Sequence, residues 1–159
     1  VNAVYNGSDL TVLILDNRTT AMTGHQENPG TGHTLQGDPA PEVDFEGLAR
    51  SCGVGYVQTV DPIDLKETER VLREAVAVDG PSVVVAKRAC VLVDKEQFEG
   101  ALDVDEEACS VCKLCIHLGC PAISLSPETA EIDAGLCVGC ELCAQVCPTD
   151  AIALPTIAK

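Results

Sequence analysis

The chain has 159 residues, which is enough for one medium-sized domain or two small ones. Its formal net charge of −15 disfavours binding to nucleic acid, because phosphates require a basic protein surface. The sequence has no apolar run of about 18 residues and no charged-then-apolar leader at Val1, so we expect neither a transmembrane helix nor a secretory signal.

The front half of the sequence alternates between predicted strands and helices. "LTVLILD" at 10–16 is a continuous apolar run that ends in Asp, which is typical of a parallel strand buried on both faces. Residues 44–53 predict a short helix with Asp44 as its N-cap. Two more apolar strands are predicted at 54–60 and 81–88. This alternation predicts part of a doubly wound α/β sheet.

The longest predicted helix lies between the last two of these strands, within residues 61–80. Asp61 is its predicted N-cap, and Pro62 occupies the first turn, where proline is favoured. The residues predicted for its apolar face are Leu65, Leu72, Ala75 and Val76.

A polar, glycine-rich stretch of 27 residues, 17–43, follows the first predicted strand. It is much longer than a usual connection, so it is either a functional loop or a disordered one. Ligands of doubly wound sheets bind at the carboxyl ends of the strands. We therefore expect a binding site in this loop.

The back half contains two cysteine runs that repeat each other. "CVGCELCAQVCP" at 137–148 has the bacterial ferredoxin spacing, in which three cysteines hold one cube and the fourth ligates the other cluster. "CSVCKLCIHLGCP" at 109–121 begins 28 residues earlier and has one extra residue before its last cysteine. We expect this residue to lengthen the short helix or the turn.

The two runs predict two [4Fe–4S] clusters that exchange their fourth ligands. The first cluster is assigned to Cys109, Cys112, Cys115 and Cys147. The second is assigned to Cys137, Cys140, Cys143 and Cys120. Zinc is the competing interpretation, since pairs of cysteines two residues apart also build zinc sites, but two triplets that each end in Cys-Pro disfavour it. Eight thiolate ligands also predict a reducing, oxygen-poor cytoplasm.

A short strand is predicted after each run, at 122–126 and 151–155, and residues 130–134 are expected to pair with the first of them. This pattern predicts a small α+β ferredoxin module in which the clusters replace a large core. We place the domain boundary between residues 93 and 94. The back half carries 12 acidic and 3 basic residues, which suits a partner with a basic docking patch or serves solubility alone.

The segment "ILDNRTTAMTGHQENPGTG" at 14–32 resembles the thiamine-diphosphate-binding segment of the 2-oxoacid:ferredoxin oxidoreductases, most of all their indolepyruvate-oxidising members. That family also ends in two cysteine runs, the first with the longer gap before "CPA". The resemblance covers essentially the whole chain. It implies the rear half of a thiamine-diphosphate-binding α/β domain in 1–93, followed by a bacterial-type dicluster ferredoxin domain in 94–159.

The resemblance also implies roles for particular loop residues. Asn17 matches the family's Mg²⁺-ligating asparagine, and Thr19 matches the residue whose backbone carbonyl ligates the same ion. Mg²⁺ prefers oxygen ligands and bridges diphosphate to protein. The residues implied to face the diphosphate or thiazolium of the cofactor are Thr23, Gly24, His25 and Gln26. No catalytic residue is assigned.

The family's Gly-Asp motif precedes the part of the fold present here, so the resemblance implies that an upstream segment or another chain completes the thiamine site. It further implies a second subunit, a 2-oxoacid and coenzyme A as substrates, and external ferredoxin as electron acceptor. The alternative is a dicluster electron-transfer subunit whose α/β half is a docking scaffold. Pyruvate or another 2-oxoacid also stays open as the substrate.

Overall fold

The computed structural model of the chain describes residues 1–20, 22 and 24–155. The chain forms two compact units, Val1–Asp94 and Lys95–Lys159, and the boundary predicted from the sequence lies one residue earlier. In the described residues, no helix has both the length and the apolar character that a membrane crossing requires.

The first unit is a three-stranded parallel sheet with helices. Its elements in chain order are α1 (Asn2–Tyr5), β1 (Thr11–Asp16), α2 (Phe45–Ser51), β2 (Tyr56–Val60), α3 (Leu65–Ala77) and β3 (Ser82–Lys87). The strand order is β1-β3-β2, and both pairs are parallel. The carboxyl ends of the strands therefore meet at one edge, where Asp16 lies beside Lys87 and Val60 beside Ala86.

Strand β3 is the centre of the first unit because its alternate side chains fill both faces of the sheet. Val84 and Ala86 pack in one cluster with Val71 and Ala75 of α3. Val83 and Val85 pack in a second cluster on the opposite face, with Ala49 of α2 and Val57 of β2. The predicted α/β class is confirmed, with helices on both faces of a parallel sheet.

The prediction that β1 is buried on both faces is wrong for the described chain. Leu13 is 46 % exposed and Leu15 is 72 % exposed, and only Asp16 of the strand is buried. The reason is topological: within the described sheet β1 pairs on one side only, with β3. An apolar run predicts a strand that is able to lie in a core, and the neighbouring elements decide whether it does.

The predicted start of α3 is also wrong. Asp64, not Asp61, is the N-cap, and its carboxylate accepts a hydrogen bond from the Glu67 N–H at 3.0 Å. Asp61 instead binds the guanidinium of Arg88, with N–O distances of 2.7 and 2.5 Å. The pKa of Asp61 is lowered, chiefly by this hydrogen bond from Arg88. Asp61 also accepts a hydrogen bond from the Ile63 N–H at 3.1 Å, so it closes the turn that precedes the helix.

The apolar face of α3 differs from the prediction at two positions, since Val71 belongs to it and Val76 does not. Val71 and Ala75 are buried, and Leu72 packs beside them. Val76 is 73 % exposed. Val71 and Ala75 are four residues apart and share one side of the helix, whereas each further residue turns about 100° away from that side.

The second unit is a small α+β ferredoxin fold. Its elements are β4 (Asp103–Val104), α4 (Leu114–His117), β5 (Ile123–Leu125), β6 (Ala130–Ile132), α5 (Leu142–Gln145) and β7 (Ile152–Ala153). The predicted pairing of 130–134 with the first short strand is confirmed, since β6 pairs antiparallel with β5. The segment 91–104, predicted only as a connection, contributes β4, which pairs with β7.

Candidate functional site

The eight cysteines of the two runs surround two separate cavities in the second unit. The first cavity is lined by Cys109, Cys112, Cys115 and Cys147. The second is lined by Cys120, Cys137, Cys140 and Cys143. Each cavity therefore takes three cysteines from one run and the last cysteine from the other, which is the grouping that the spacing predicts.

The backbone of the two runs repeats as closely as the cysteines do. Val111 and Gly139, each directly before the second cysteine of its run, have positive φ angles of 53° and 77°. Lys113 and Glu141, each directly after that cysteine, have φ angles of 68° and 60°. These left-handed residues curl each loop around its cavity, and the helices α4 and α5 begin immediately afterwards.

The extra residue of the first run lies in the turn after the helix, not in the helix. Helices α4 and α5 have four residues each, so the helices themselves do not differ in length. Gly119, which precedes Cys120, has φ 69° and donates its N–H to the Ile116 carbonyl at 3.0 Å. A left-handed glycine accommodates the added residue without a change in the order of the cysteines.

Two thiols of the first cavity are surrounded by hydrogen-bond donors. The pKa of Cys109 is lowered, first by a hydrogen bond from the backbone of Ala130. At Cys147 burial raises the pKa, but hydrogen bonds from the backbone and hydroxyl of Thr149 and from the backbone of Ala151 outweigh it, so the pKa is lowered. The Ala151 N–H lies 3.3 Å from the Cys147 sulfur. Such donors stabilise the thiolate, the form that binds metal.

Two other thiols, one in each cavity, are buried, and burial raises their pKa values. Cys115 and Cys143 are the third cysteines of their runs, and each lies inside the helical turn that follows the loop. Burial raises the pKa of Cys115, and it raises the pKa of Cys143 to about 11. A positive metal centre reverses this cost because it stabilises the thiolate directly.

In the first unit, Asn17 begins the long loop at the carboxyl end of β1. Its side-chain oxygen accepts a hydrogen bond from the Thr19 N–H at 3.2 Å, and its carbonyl accepts one from the Cys90 N–H at 3.0 Å. The first bond closes a tight turn between the Asn17 side chain and the Thr19 backbone, and the second ties Asn17 to the segment after β3. Asn17 is exposed, so its side chain is accessible to a ligand.

The next predicted residues lie on a short reversal of the loop. Gln26 exchanges two backbone hydrogen bonds with Thr20, with N–O distances of 3.1 and 3.2 Å. Gly24 and His25 turn the chain with φ angles of 107° and 58°. Gly24, His25 and Gln26 are exposed, and Thr23 lies outside the described residues. The paired backbone of Thr20 and Gln26 disfavours the disordered interpretation for the described part of the loop.

A clamp across this loop escaped the sequence analysis. Arg18 binds both carboxylate oxygens of Glu42, 24 residues further on, with N–O distances of 2.6 and 3.1 Å. Its backbone N–H binds Asp16 at 3.2 Å. The other Asp16 oxygen is buried without a hydrogen-bond partner, and the nearest Arg18 nitrogen lies 3.6 Å away. No local sequence pattern predicts this clamp, because only folding brings Arg18 and Glu42 together.

The first unit also has a polar cavity of about 480 Å³ between α2 and the ends of β2 and β3. Its charged lining includes Glu42, Asp44, Glu46, Arg50 and Lys87. None of the described loop residues assigned to the cofactor lines it. The acidic excess makes it unsuitable for a diphosphate, so the turn at Asn17 is the better candidate site.

The residues present suit the groups that the resemblance implies. The cavities offer four sulfur donors each, the set that a [4Fe–4S] cube takes. Their volumes are about 20 and 330 Å³. Asn17 offers an exposed side-chain oxygen, which is a ligand type that Mg²⁺ prefers, and it follows Asp16, one of whose buried carboxylate oxygens has no hydrogen-bond partner.

Comparison with known families decides what the first unit is. Residues 1–86 match the family described as thiamine pyrophosphate enzyme, C-terminal TPP binding domain. The chain belongs to the thiamine pyrophosphate enzyme family. Residues 130–153 match the 4Fe-4S binding domain, which favours iron–sulfur clusters over zinc in the second unit. This thiamine pyrophosphate enzyme chain thus carries a cofactor-binding domain and a cluster-binding domain.

Curated relatives extend the match over almost the whole chain. The indolepyruvate oxidoreductase subunit IorA of Pyrococcus abyssi is 46 % identical over 159 residues, covering 94 % of this chain and 24 % of that protein. The same subunit of Archaeoglobus fulgidus is 41 % identical, covering 96 % and 25 %. A pyruvate-flavodoxin oxidoreductase of Klebsiella pneumoniae is 32 % identical over 93 residues, covering 54 % of this chain and 8 % of that protein. The chain spans about a quarter of the length of the IorA subunits that it matches.

These matches confirm the resemblance seen in the loop and the cysteine runs. This member of the thiamine pyrophosphate enzyme family is similar to the C-terminal part of the indolepyruvate oxidoreductase subunit. The predicted fold, a thiamine-binding α/β domain followed by a ferredoxin domain, is confirmed as well.

Proposed function

We propose that the chain is the C-terminal part of a 2-oxoacid:ferredoxin oxidoreductase that acts on an arylpyruvate, with indolepyruvate as the first candidate. One observation carries the proposal: a thiamine-binding unit is followed in the same chain by eight cysteines around two cavities. Oxidative decarboxylation of a 2-oxoacid to an acyl group releases two electrons. Two cubes that each carry one electron match that number.

The proposed division of labour leaves the difficult bond chemistry to the cofactor. Thiamine diphosphate, when bound, supplies the carbon nucleophile that attacks the keto carbon and allows CO₂ to leave. The chain holds and orients it: the Asn17 side-chain oxygen and the Thr19 carbonyl are the proposed Mg²⁺ ligands. The segment of Gly24, His25 and Gln26 is proposed to face the diphosphate or the thiazolium. The turn that joins Asn17 to Thr19 supports this role, since the hydrogen bond from the Thr19 N–H to the Asn17 side-chain oxygen holds the two residues close together.

The second unit is proposed to bind two [4Fe–4S] clusters with exchanged ligands. The first takes Cys109, Cys112, Cys115 and Cys147, and the second takes Cys137, Cys140, Cys143 and Cys120. In this scheme coenzyme A accepts the acyl group and external ferredoxin accepts the electrons, in the cytoplasm of an oxygen-poor cell. A second subunit and the remaining part of the thiamine site complete the enzyme.

The test is a titration of thiamine diphosphate against arylpyruvate oxidation in the complete enzyme at limiting Mg²⁺. Asn17→Ala is expected to weaken apparent cofactor affinity on the order of tenfold or more, because Mg²⁺ loses an oxygen from a shell that tolerates little distortion. The matched control is Asn6→Ala, an exposed asparagine that bonds only its own helix, to the Asn2 carbonyl at 2.9 Å. Iron content should stay unchanged in both variants.

The outcomes separate this proposal from its alternative. Unchanged cofactor affinity in Asn17→Ala removes the proposed Mg²⁺ role of Asn17, and a complete enzyme with two intact clusters but no bound thiamine favours an electron-transfer subunit with a scaffold domain. A panel of 2-oxoacids in the wild-type enzyme settles the substrate class: the proposal requires arylpyruvates to be oxidised in preference to pyruvate.

A further inference from the structure

The two cluster loops place opposite charges at equivalent positions. Lys113 follows Cys112 in the first run, and Glu141 follows Cys140 in the second, exactly one repeat of 28 residues later. Both residues have left-handed backbone angles, 68° and 60°, and both are the N-cap residues of the helices that carry the third cysteines. The backbone at these two positions is therefore the same, while the side chains differ by two units of charge.

Each of these charges belongs to its own cavity. Lys113 lines the cavity of Cys109, Cys112, Cys115 and Cys147. Glu141 lines the cavity of Cys120, Cys137, Cys140 and Cys143. Both side chains are exposed, so salt screens them over distances beyond a Debye length of about 10 Å at 0.1 M ionic strength. Each charge consequently acts mainly on the sulfurs next to it.

The last cysteines of the two runs also differ in the hydrogen-bond donors near their sulfurs. Cys147 is followed by Pro148 and Thr149, whose hydroxyl oxygen lies 3.7 Å from the Cys147 sulfur. Cys120 is followed by Pro121 and, at the place of the threonine, by Ala122, which is buried and has only a methyl group. The fourth ligand of one cluster thus has a hydroxyl donor where that of the other has none.

These differences have a common electrostatic consequence. Reduction adds one electron to a cube, so a nearby cation and a hydrogen bond to a ligand sulfur stabilise the reduced form, and a nearby anion destabilises it. Lys113 and Thr149 favour reduction of the first cluster, and Glu141 opposes reduction of the second. All three residues therefore increase the difference in reduction potential between the first and the second cluster.

We propose that the two clusters have different reduction potentials, and that Lys113 and Glu141 give the first cluster the higher one. Lys113 and Glu141 are tuning residues that ligate no iron. The redox step is simple: each oxidised cube takes one electron from a reductant such as dithionite, and no bond is broken. The proposal rests on the cluster assignment in the proposed function.

The experiment is a potentiometric titration of the complete enzyme with dithionite, followed by electron paramagnetic resonance. The wild type should be reduced in two separate one-electron steps. Lys113→Gln should shift the higher step to lower potential, and Glu141→Gln should shift the lower step to higher potential. The exchange Lys113→Glu with Glu141→Lys should narrow or invert the separation, and all shifts should shrink as salt is raised.

Two matched controls test whether position, and not charge alone, is responsible. Lys95→Gln and Glu131→Gln remove the same charges in the same unit, and neither residue lines a cluster cavity. Both variants should leave the potentials of the two reduction steps unchanged.

The possible failures are distinguishable. Iron analysis that finds fewer than two cubes per chain overturns the proposed function and, with it, this proposal. Full iron content with a single coincident step, or with steps that do not respond to Lys113→Gln and Glu141→Gln, overturns only the inequality of the clusters. Equal shifts in the control variants overturn the assignment of the effect to these two positions.

Discussion

Gly139 should be irreplaceable even by alanine, because another backbone segment occupies the space that a side chain needs. A Cβ built on Gly139 would lie 2.0 Å from the carbonyl oxygen of Gly100, whereas ordinary contact begins at 3.4 Å. The Gly100 carbonyl would therefore have to retreat by about 1.4 Å, or the loop between Cys137 and Cys140 would have to open.

Two costs add in the Gly139→Ala variant. Its φ of 77° is left-handed, which costs an alanine about 1–2 kcal/mol. Overpacking against a backbone costs roughly 1–3 kcal/mol more. We expect a total destabilisation of about 2–5 kcal/mol, concentrated on the loop that holds the second cluster.

Gly119→Ala is the matched control, since Gly119 also precedes a proposed ligand of the second cluster. Its φ is 69°, but nothing lies within 4 Å of the Cβ position, so only the backbone cost of about 1–2 kcal/mol applies. The assay is anaerobic loss of the cluster to an iron chelator, followed by its visible absorbance. Each additional 1.4 kcal/mol of local destabilisation should accelerate loss about tenfold where release requires opening of the loop.

The result that refutes the reasoning is equal cluster loss in Gly139→Ala and Gly119→Ala. In that case the approach of Gly100 does not constrain the loop. Selective loss of the first cluster in Gly139→Ala would equally contradict the grouping of the cysteines.

Two further predictions concern the ligand exchange and the cap of α3. Cys120→Ala should damage the cluster whose other ligands lie in the second run, and Cys147→Ala the cluster of the first run; resonance spectra that show each run losing its own cluster would contradict the exchange. Asp64→Ala should cost about 1 kcal/mol and speed amide hydrogen exchange in the first turn of α3, whereas protection equal to that of the wild type would show that Asp64 is not the cap.

Much of the site was predictable because its chemistry is written in local spacing. Three cysteines two residues apart, followed by Cys-Pro, predict a cluster loop without knowledge of the fold. The pairing of β5 with β6 was equally accessible, because it joins neighbours across a short turn.

The rest depended on contacts between residues far apart in the sequence. The sequence predicts Asp61 as the cap of α3, but in the fold Asp61 pairs with the distant Arg88 and Asp64 caps the helix. Arg18 and Glu42 carry no motif, yet folding brings them together across the loop.

The cysteine spacing by itself therefore predicted two sets of thiolate ligands, and the resemblance of the loop implied a site for Mg²⁺ and diphosphate. The tertiary structure alone decided that Gly139 has no room for a side chain, that Arg18 and Glu42 meet across the loop, and that β1 pairs on one side only within the described sheet. The physical reason is the distance along the sequence between the residues that interact. Ligand type and turn geometry depend on a few consecutive residues, whereas burial and close approach depend on which distant segments share the same space.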